Sequence, residues 1–118
     1  MRGILVVGHG SKVIDVNKKF QELIEILKKN TGRDVRGANL TLAPPSLEEV
    51  IQSMYSEGFR EITVIPYFLS NGAHVTEDIP KILKEMRSNL EGLSFLLENS
   101  LLLNSLVLEA IEEKINSH

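Results

Sequence analysis

The chain has 118 residues, a formal net charge of −3 at pH 7 and no cysteine. This length predicts one domain over residues 1–118, and the lack of cysteine excludes disulfides, thiolate metal sites and cysteine nucleophiles. The mixed, slightly acidic charge excludes the basic surface by which proteins bind nucleic acid. No apolar run is long enough to span a membrane and no signal peptide is evident, so we expect a cytoplasmic protein.

Strands and helices are predicted to alternate four times along the chain. Short apolar runs predict strands at 3–7, 34–42, 61–68 and 94–97. Apolar residues at helical spacing predict helices at 12–29, 46–58, 76–89 and 102–115. The last helix carries an apolar stripe that we expect to face the sheet, formed by Leu103, Leu106, Val107, Ala110, Ile111 and Ile115.

This alternation indicates an α/β fold, a four-stranded parallel sheet with helices on both faces. The expected strand order is 2-1-3-4, as in flavodoxin-like folds, because right-handed crossovers restrict the topology. The first and third strands are then neighbours, about 4.8 Å apart. Residues just past their carboxyl ends face the crevice in which open α/β sheets bind ligands.

Capping signals predict where three of the helices begin. Ser11 is expected to be the N-cap of the first helix. Ser46, followed three residues later by a glutamate, forms a capping box for the second. Thr76 or Asp78 is expected to cap the third helix, with Pro80 in its first turn.

Two histidines directly follow the first and third predicted strands. His9 lies in the segment Gly8-His9-Gly10-Ser11, and His74 ends the segment Asn71-Gly72-Ala73-His74. Neutral imidazole binds first-row transition metals and also accepts protons near neutral pH. Because tight metal sites use more protein ligands, two histidines predict a site that binds a metal and then releases it.

Other interpretations of these residues stay open at this point. His9 on its own fits a helix-entry residue that bonds to the backbone, and its glycine-rich turn also fits a phosphate cradle or a phosphorylated histidine. Tyr67 and Phe68 form either a flat apolar wall beside a ligand or part of the core. His118 is terminal and is assigned no role.

These segments resemble the small class II chelatases, the short CbiX-type sirohydrochlorin cobaltochelatases and their nickel-inserting relatives. The resemblance covers most of residues 1–85 and is carried by the segments 7–12, 45–49 and 64–80. It implies insertion of Co²⁺ or Ni²⁺, as substrate metal, into the tetrapyrrole sirohydrochlorin, with no permanent cofactor. It also implies a homodimer, since the short members resemble half of a two-lobed chelatase.

The resemblance assigns roles residue by residue. His9 would be proton acceptor and metal ligand, and His74 the second metal ligand. The residues expected to contact the tetrapyrrole are Gly10, Ser11, Leu69, Ser70, Asn71, Gly72, Ala73 and His74.

Two features of the sequence bear on this assignment. Thr41 and Pro44 stand where the family carries glutamates, so a non-catalytic metal- or tetrapyrrole-binding relative is the alternative. Sirohydrochlorin carries eight carboxylates, whereas the chain is net acidic. We therefore expect helix N-termini, with Lys12, Arg2 or Arg36, to supply local positive charge.

Overall fold

The computed structural model describes residues 2–67, 73–99 and 104–117, and for residues 73–76 it describes the backbone alone. Strands and helices alternate as predicted. In chain order they are β1 (Arg2–Gly8), α1 (Ile14–Thr31), β2 (Val35–Asn39), α2 (Leu47–Ser56), β3 (Glu61–Pro66), α3 (Ala73–Asn89), β4 (Ser94–Leu97) and α4 (Ser105–Asn116).

The four strands form one parallel sheet in the order β2-β1-β3-β4, which confirms the predicted topology. Val7 of β1 pairs with Pro66 of β3, so these central strands end at the same level. Gly8 of β1 pairs with Asn39 of β2. The segments that follow β1, β2 and β3 therefore leave the sheet side by side, at its carboxyl edge.

The core lies in two layers because side chains alternate between the faces of each strand. Leu5 and Val7 of β1 are fully buried in the larger layer, beneath α2 and α3. Val6 points to the opposite face and packs against Ile24 of α1. Burying one such aliphatic side chain contributes about 1.5–3 kcal/mol, so both faces of the sheet help to fix the strand ends.

Two of the three helix starts predicted from capping signals differ from the structure. α1 begins at Ile14, and its N-cap is Val13, which makes no side-chain capping bond, so the assignment of Ser11 as N-cap is wrong. Ser11 instead accepts a hydrogen bond on Oγ from the Val13 N–H at 3.0 Å, in a tight turn that precedes the helix. For α2 the predicted cap is confirmed, since Ser46 Oγ accepts a hydrogen bond from the Glu49 N–H at 3.1 Å.

α3 begins at Ala73, three residues before its predicted start, so neither Thr76 nor Asp78 caps it. Pro80 lies inside this helix rather than in its first turn. Proline favours a first turn because it lacks an N–H, which is why the sequence pattern indicated a later start. The preference was overridden here, and Ala73 and His74 belong to the first turn of a helix rather than to a loop.

The apolar stripe of α4 is largely exposed, so the expectation that it faces the sheet and is buried there is wrong. None of its residues is buried, and Leu106 and Ile115 are 71% and 66% exposed. Leu103 lies outside the described residues. Leu96 of β4, on the α1 side of the sheet, is also 59% exposed. Helical periodicity shows which face of a helix is apolar, but not what covers that face.

None of the helices in the described part of the chain has both the length and the hydrophobicity that a membrane span requires.

Candidate active site

The turn that carries His9 is hydrogen-bonded to the segment that follows β2. The backbone N–H of Leu40 donates to the Gly8 carbonyl oxygen at 2.8 Å, and that of Thr41 donates to the His9 carbonyl oxygen at 3.0 Å. Gly10 has a positive φ of 92°, and a Cβ atom there would lie 1.8 Å from the Thr41 carbonyl oxygen. Only glycine fits between these two segments, so the sequence Gly-His-Gly sets their close approach.

The imidazole of His9 is exposed and has a defined hydrogen-bond partner. Its Nδ1 atom lies 3.1 Å from the carbonyl oxygen of Gly10. A carbonyl oxygen only accepts hydrogen bonds, so Nδ1 carries the proton in this contact. In the neutral ring the Nε2 lone pair is then left to bind a metal or to accept a proton.

Two asparagines that are not among the predicted site residues support this turn. Asn17 accepts a hydrogen bond on Oδ1 from the Ser11 N–H at 3.2 Å and donates from Nδ2 to the Ser11 carbonyl oxygen at 2.8 Å. Asn39 is the buried polar residue at the end of β2, and its Nδ2 donates to the Pro44 carbonyl oxygen at 3.2 Å. No clear sequence signal marks Asn39, because β2 also contains Arg36 and Gly37 and is not a continuous apolar run.

His9 borders two cavities at the carboxyl edge of the sheet. The first, which we call the α1 cavity, has a volume of about 340 Å³ and is lined by Gly8, His9, Gly10, Val16, Asn17, Lys19, Phe20, Leu23, Asn39 and Tyr67. The second, which we call the α3 cavity, has a volume of about 560 Å³ and is lined by His9, Leu40, Thr41, Asp78, Lys81, Ile82 and Glu85. His9 therefore stands between two mainly apolar spaces, of which the α3 cavity carries more charged side chains.

Aromatic rings form one wall of the α1 cavity. The rings of Phe20 and Tyr67 have centroids 5.9 Å apart and planes inclined by 32°. The half-buried Tyr67 packs on the α1 side of the core and also lines this cavity. It is therefore both a core residue and part of a cavity wall. Phe68, the other residue predicted for an apolar wall, lies outside the described residues.

The α3 residues that line the second cavity lie at positions 78, 81, 82 and 85, which form one stripe of a helix. His74 lies in the first turn of α3, four residues before Asp78, and so occupies the next position along this stripe. The side chain of His74 is outside the description, as are Leu69, Ser70, Asn71 and Gly72. Within the described residues, no group of three histidine, aspartate or glutamate side chains is placed to hold a metal ion.

Two arginines expected to attract the substrate are engaged elsewhere. Arg2 starts β1, at the opposite edge of the sheet from His9, and its Nε donates to Glu61 at 2.7 Å. Arg36 is bound by Asp34 and Glu57. Its hydrogen bonds hold the pKa of both carboxyl groups below their usual values and raise the pKa of the guanidinium. Neither arginine lines a cavity that His9 borders, and both are paired with acidic residues, so the expectation that they serve the site is wrong for the single chain.

The sequence matches the CbiX family model over residues 3–118. A sirohydrochlorin ferrochelatase of Arabidopsis thaliana chloroplasts is 30% identical over 114 residues, which cover 96% of this chain and 51% of the relative. A sirohydrochlorin cobaltochelatase of Methanococcoides burtonii is 36% identical over 92 residues, which cover 76% of this chain and 70% of the relative. The chain thus spans about half the length of the plant protein.

A solved structure agrees with the fold. The crystal structure of a CbiX protein from Marinobacter aquaeolei superimposes with a TM-score of 0.86 at 24% identity, over 99% of this chain and 96% of that one. The expected resemblance rested on residues 1–85, whereas the family match extends through the last strand and helix. From the sequence motifs, the sheet order and these matches, the chain belongs to the CbiX family.

Proposed function

We propose that this protein inserts a divalent metal, Co²⁺ or Ni²⁺, into sirohydrochlorin. The observation that carries the proposal is the His9 imidazole, whose Nε2 lone pair is unused by the turn and which stands between two cavities at the sheet edge. The relatives support it, because proteins named sirohydrochlorin cobaltochelatase and ferrochelatase match most of the chain. Imidazole is a suitable ligand for first-row divalent metals, Co²⁺ and Ni²⁺ included.

The reaction needs a base beside the ring nitrogens. A divalent ion enters the macrocycle as two pyrrole N–H bonds break, and two protons leave. His9 is suited to either part of this exchange, since Nε2 can bind the ion or accept a proton, though not both at once. We assign the second ligand or base to His74, whose position on α3 is one helical step before Asp78, a residue that lines the α3 cavity.

The remaining predicted contacts are part of the same proposal. Gly10 lines the α1 cavity beside His9, where the absence of a side chain lets a flat ring approach the backbone. Ser11 adjoins this turn, although its N–H, carbonyl and hydroxyl oxygens all bond within the chain. The tetrapyrrole contacts proposed on α3 and the segment before it are Leu69, Ser70, Asn71, Gly72, Ala73 and His74.

We further propose that the working form is a homodimer in which a second copy covers α4. The apolar face of this helix is exposed in the single chain, as is Leu96 on β4. The radius of gyration is 15.0 Å, against about 13.5 Å for a compact chain of this length. Two copies together would also match the length of the plant relative, of which one copy covers 51%.

An insertion assay tests the proposed reaction. Metal-free sirohydrochlorin is mixed with Co²⁺, Ni²⁺ or Fe²⁺, and the change in ring absorption is followed with the protein, with a His9→Ala variant and with metal alone. We expect the wild-type protein to accelerate uptake of Co²⁺ or Ni²⁺ over the other two samples. Acceleration of Fe²⁺ uptake alone would contradict the proposed metal but keep the chelatase reaction.

The alternative is a binding protein that holds metal or tetrapyrrole without catalysis. It is favoured by Thr41, which lines the α3 cavity where the resemblance leads us to expect a glutamate. The same assay separates the two functions. Binding of the ring with no acceleration over metal alone would support the alternative and contradict the enzyme.

A further inference from the structure

The proposed substrate is strongly acidic, and the paired arginines do not supply the cations that it would need. Sirohydrochlorin carries carboxylates around its whole rim, whereas the chain has a net charge of −3. Arg2 and Arg36 are bound by acidic residues of the chain itself. Lys12, the third cation expected near the site, lines neither cavity that His9 borders. We therefore look for cations among the residues that share a cavity with His9.

One such residue lies on α1. Lys19 is exposed and, among the described residues, is the one cation that lines the α1 cavity. It forms no salt bridge with a described residue, unlike Lys28 on the same helix, which lies 3.2 Å from Glu25. The neighbouring Lys18 lines a different cavity, between α1, β2 and α2, which His9 does not border.

A second cation lies on α3. Of the described residues that line the α3 cavity, Lys81 alone is cationic, and it too forms no salt bridge with a described residue. Asp78 and Glu85 line the same cavity, three residues before Lys81 and four residues after it. With His9 neutral, Lys81 and these two acids give the lining a formal charge of −1, so Lys81 acts as a single point of attachment rather than as part of a general anion trap.

The two lysines flank His9 through the two cavities that it borders. A macrocycle held over His9 with carboxylates on all sides would place one near Lys19 and another near Lys81. A macrocycle with carboxylates on one side only would reach one lysine at most. We infer that Lys19 and Lys81 are specificity-determining residues that select tetrapyrroles with carboxylates around the whole rim; this inference rests on the proposed function.

The test measures binding rather than insertion. Metal-free uroporphyrin, with eight carboxylates, and mesoporphyrin, with two, are titrated with the full-length protein, and their fluorescence is followed at low and moderate ionic strength. We expect the octacarboxylate to bind more tightly, with an affinity that falls as salt is added. Lys19→Ala and Lys81→Ala should each weaken uroporphyrin binding about fivefold, and the double variant about 25-fold, because an exposed ion pair contributes modestly and distant sites add.

Matched controls lie beside each lysine. Lys18→Ala and Lys84→Ala remove neighbouring cations that line neither cavity of His9, and they should change binding less than twofold. Lys81→Arg, which keeps the charge, should restore most of the affinity that Lys81→Ala loses. Equal losses in the test and control variants, or equal binding of both porphyrins by the wild type, would overturn the inference.

The outcome can be told apart from that of the insertion assay. Lysine-dependent binding of uroporphyrin without accelerated metal uptake would support the two lysines and contradict the chelatase. Accelerated uptake with no effect of either lysine would do the reverse.

Discussion

Nδ1 of His9 lies 3.1 Å from the carbonyl oxygen of Gly10, the next residue in the chain. In the neutral ring this contact favours the tautomer with the proton on Nδ1, which leaves the Nε2 lone pair for a metal or a proton. The partner of Nδ1 is a backbone carbonyl and not a carboxylate, so protonation of a neighbouring acid would not remove this hydrogen bond. The orientation of the ring therefore follows directly from the conformation of residues 8–10.

Replacing the imidazole should remove activity and keep the fold. We expect His9→Ala to lower the rate of metal insertion at least about 100-fold, since a positioned base contributes at least that much. The side chain is exposed, so its loss should leave the thermal midpoint and the circular dichroism spectrum unchanged. His74→Ala is expected to lose activity to a similar extent, and near wild-type turnover in either variant would refute its assigned role.

A methyl group at Gly10 should destabilise the protein. Gly10→Ala combines a positive φ with a Cβ atom 1.8 Å from the Thr41 carbonyl oxygen, so we expect a loss of at least about 2 kcal/mol in the free energy of unfolding. Gly32→Ala is the matched control, because Gly32 also has a positive φ but no atom within 4 Å of the added carbon. It should cost about 1 kcal/mol. Equal losses in urea denaturation would show that the close approach at Gly10 is unimportant.

The ion pairs of Arg36 with Asp34 and Glu57 predict that the protein loses stability in acid. The pKa values of Asp34 and Glu57 are lowered in the folded state, chiefly by hydrogen bonds from Arg36. Their contribution to stability is therefore present above the unfolded-state pKa, near 4, and is lost as the pH falls through the lower folded values. We expect the urea midpoint of the wild type to fall between pH 5 and 3.

An Arg36→Gln variant provides the comparison for that measurement. It should be less stable than the wild type near neutral pH and show a flatter dependence on pH between 5 and 3. The difference should shrink in high salt, because Asp34 and Glu57 are largely exposed and their attraction to Arg36 is screened. Parallel pH curves for the two proteins would argue against this role.

The exposed face of α4 predicts a concentration-dependent dimer. We expect the wild type to sediment with twice the mass of the chain, and the double variant Leu106→Asp and Ile111→Asp to sediment as a monomer. Glu112→Gln on the same helix is the control and should leave the mass unchanged. A wild type that stays monomeric at high concentration would contradict the proposed homodimer.

Much of the fold follows from local patterns in the sequence. Four short apolar runs and four helical stripes predicted the elements, and the crossover rule predicted the sheet order. Ser46 illustrates why local signals succeed, since its hydroxyl bonds a backbone N–H only three residues away. α3 shows where such signals fail, because the preference of Pro80 for a first turn was outweighed by a helix that extends back to Ala73.

The site was predictable only in part, because local sequence signals do not show how helices cross the sheet. His9 follows a strong strand pattern, so its place at the sheet edge could be anticipated. Phe20 and Lys19 border the same space because of how α1 crosses the sheet, and nothing local in the sequence encodes that crossing. Lys81 depends likewise on which stripe of α3 faces His9.

The segment after β2 holds the His9 turn through main-chain atoms alone, by the Thr41 N–H and the Leu40 N–H. The Thr41 side chain takes no part in those two bonds, yet it borders the α3 cavity. Position 41 is therefore open to randomisation: acidic, amide or thiol groups can be installed there without loosening the main-chain ties of the imidazole. Directed evolution of metal preference in this scaffold would begin at that one codon.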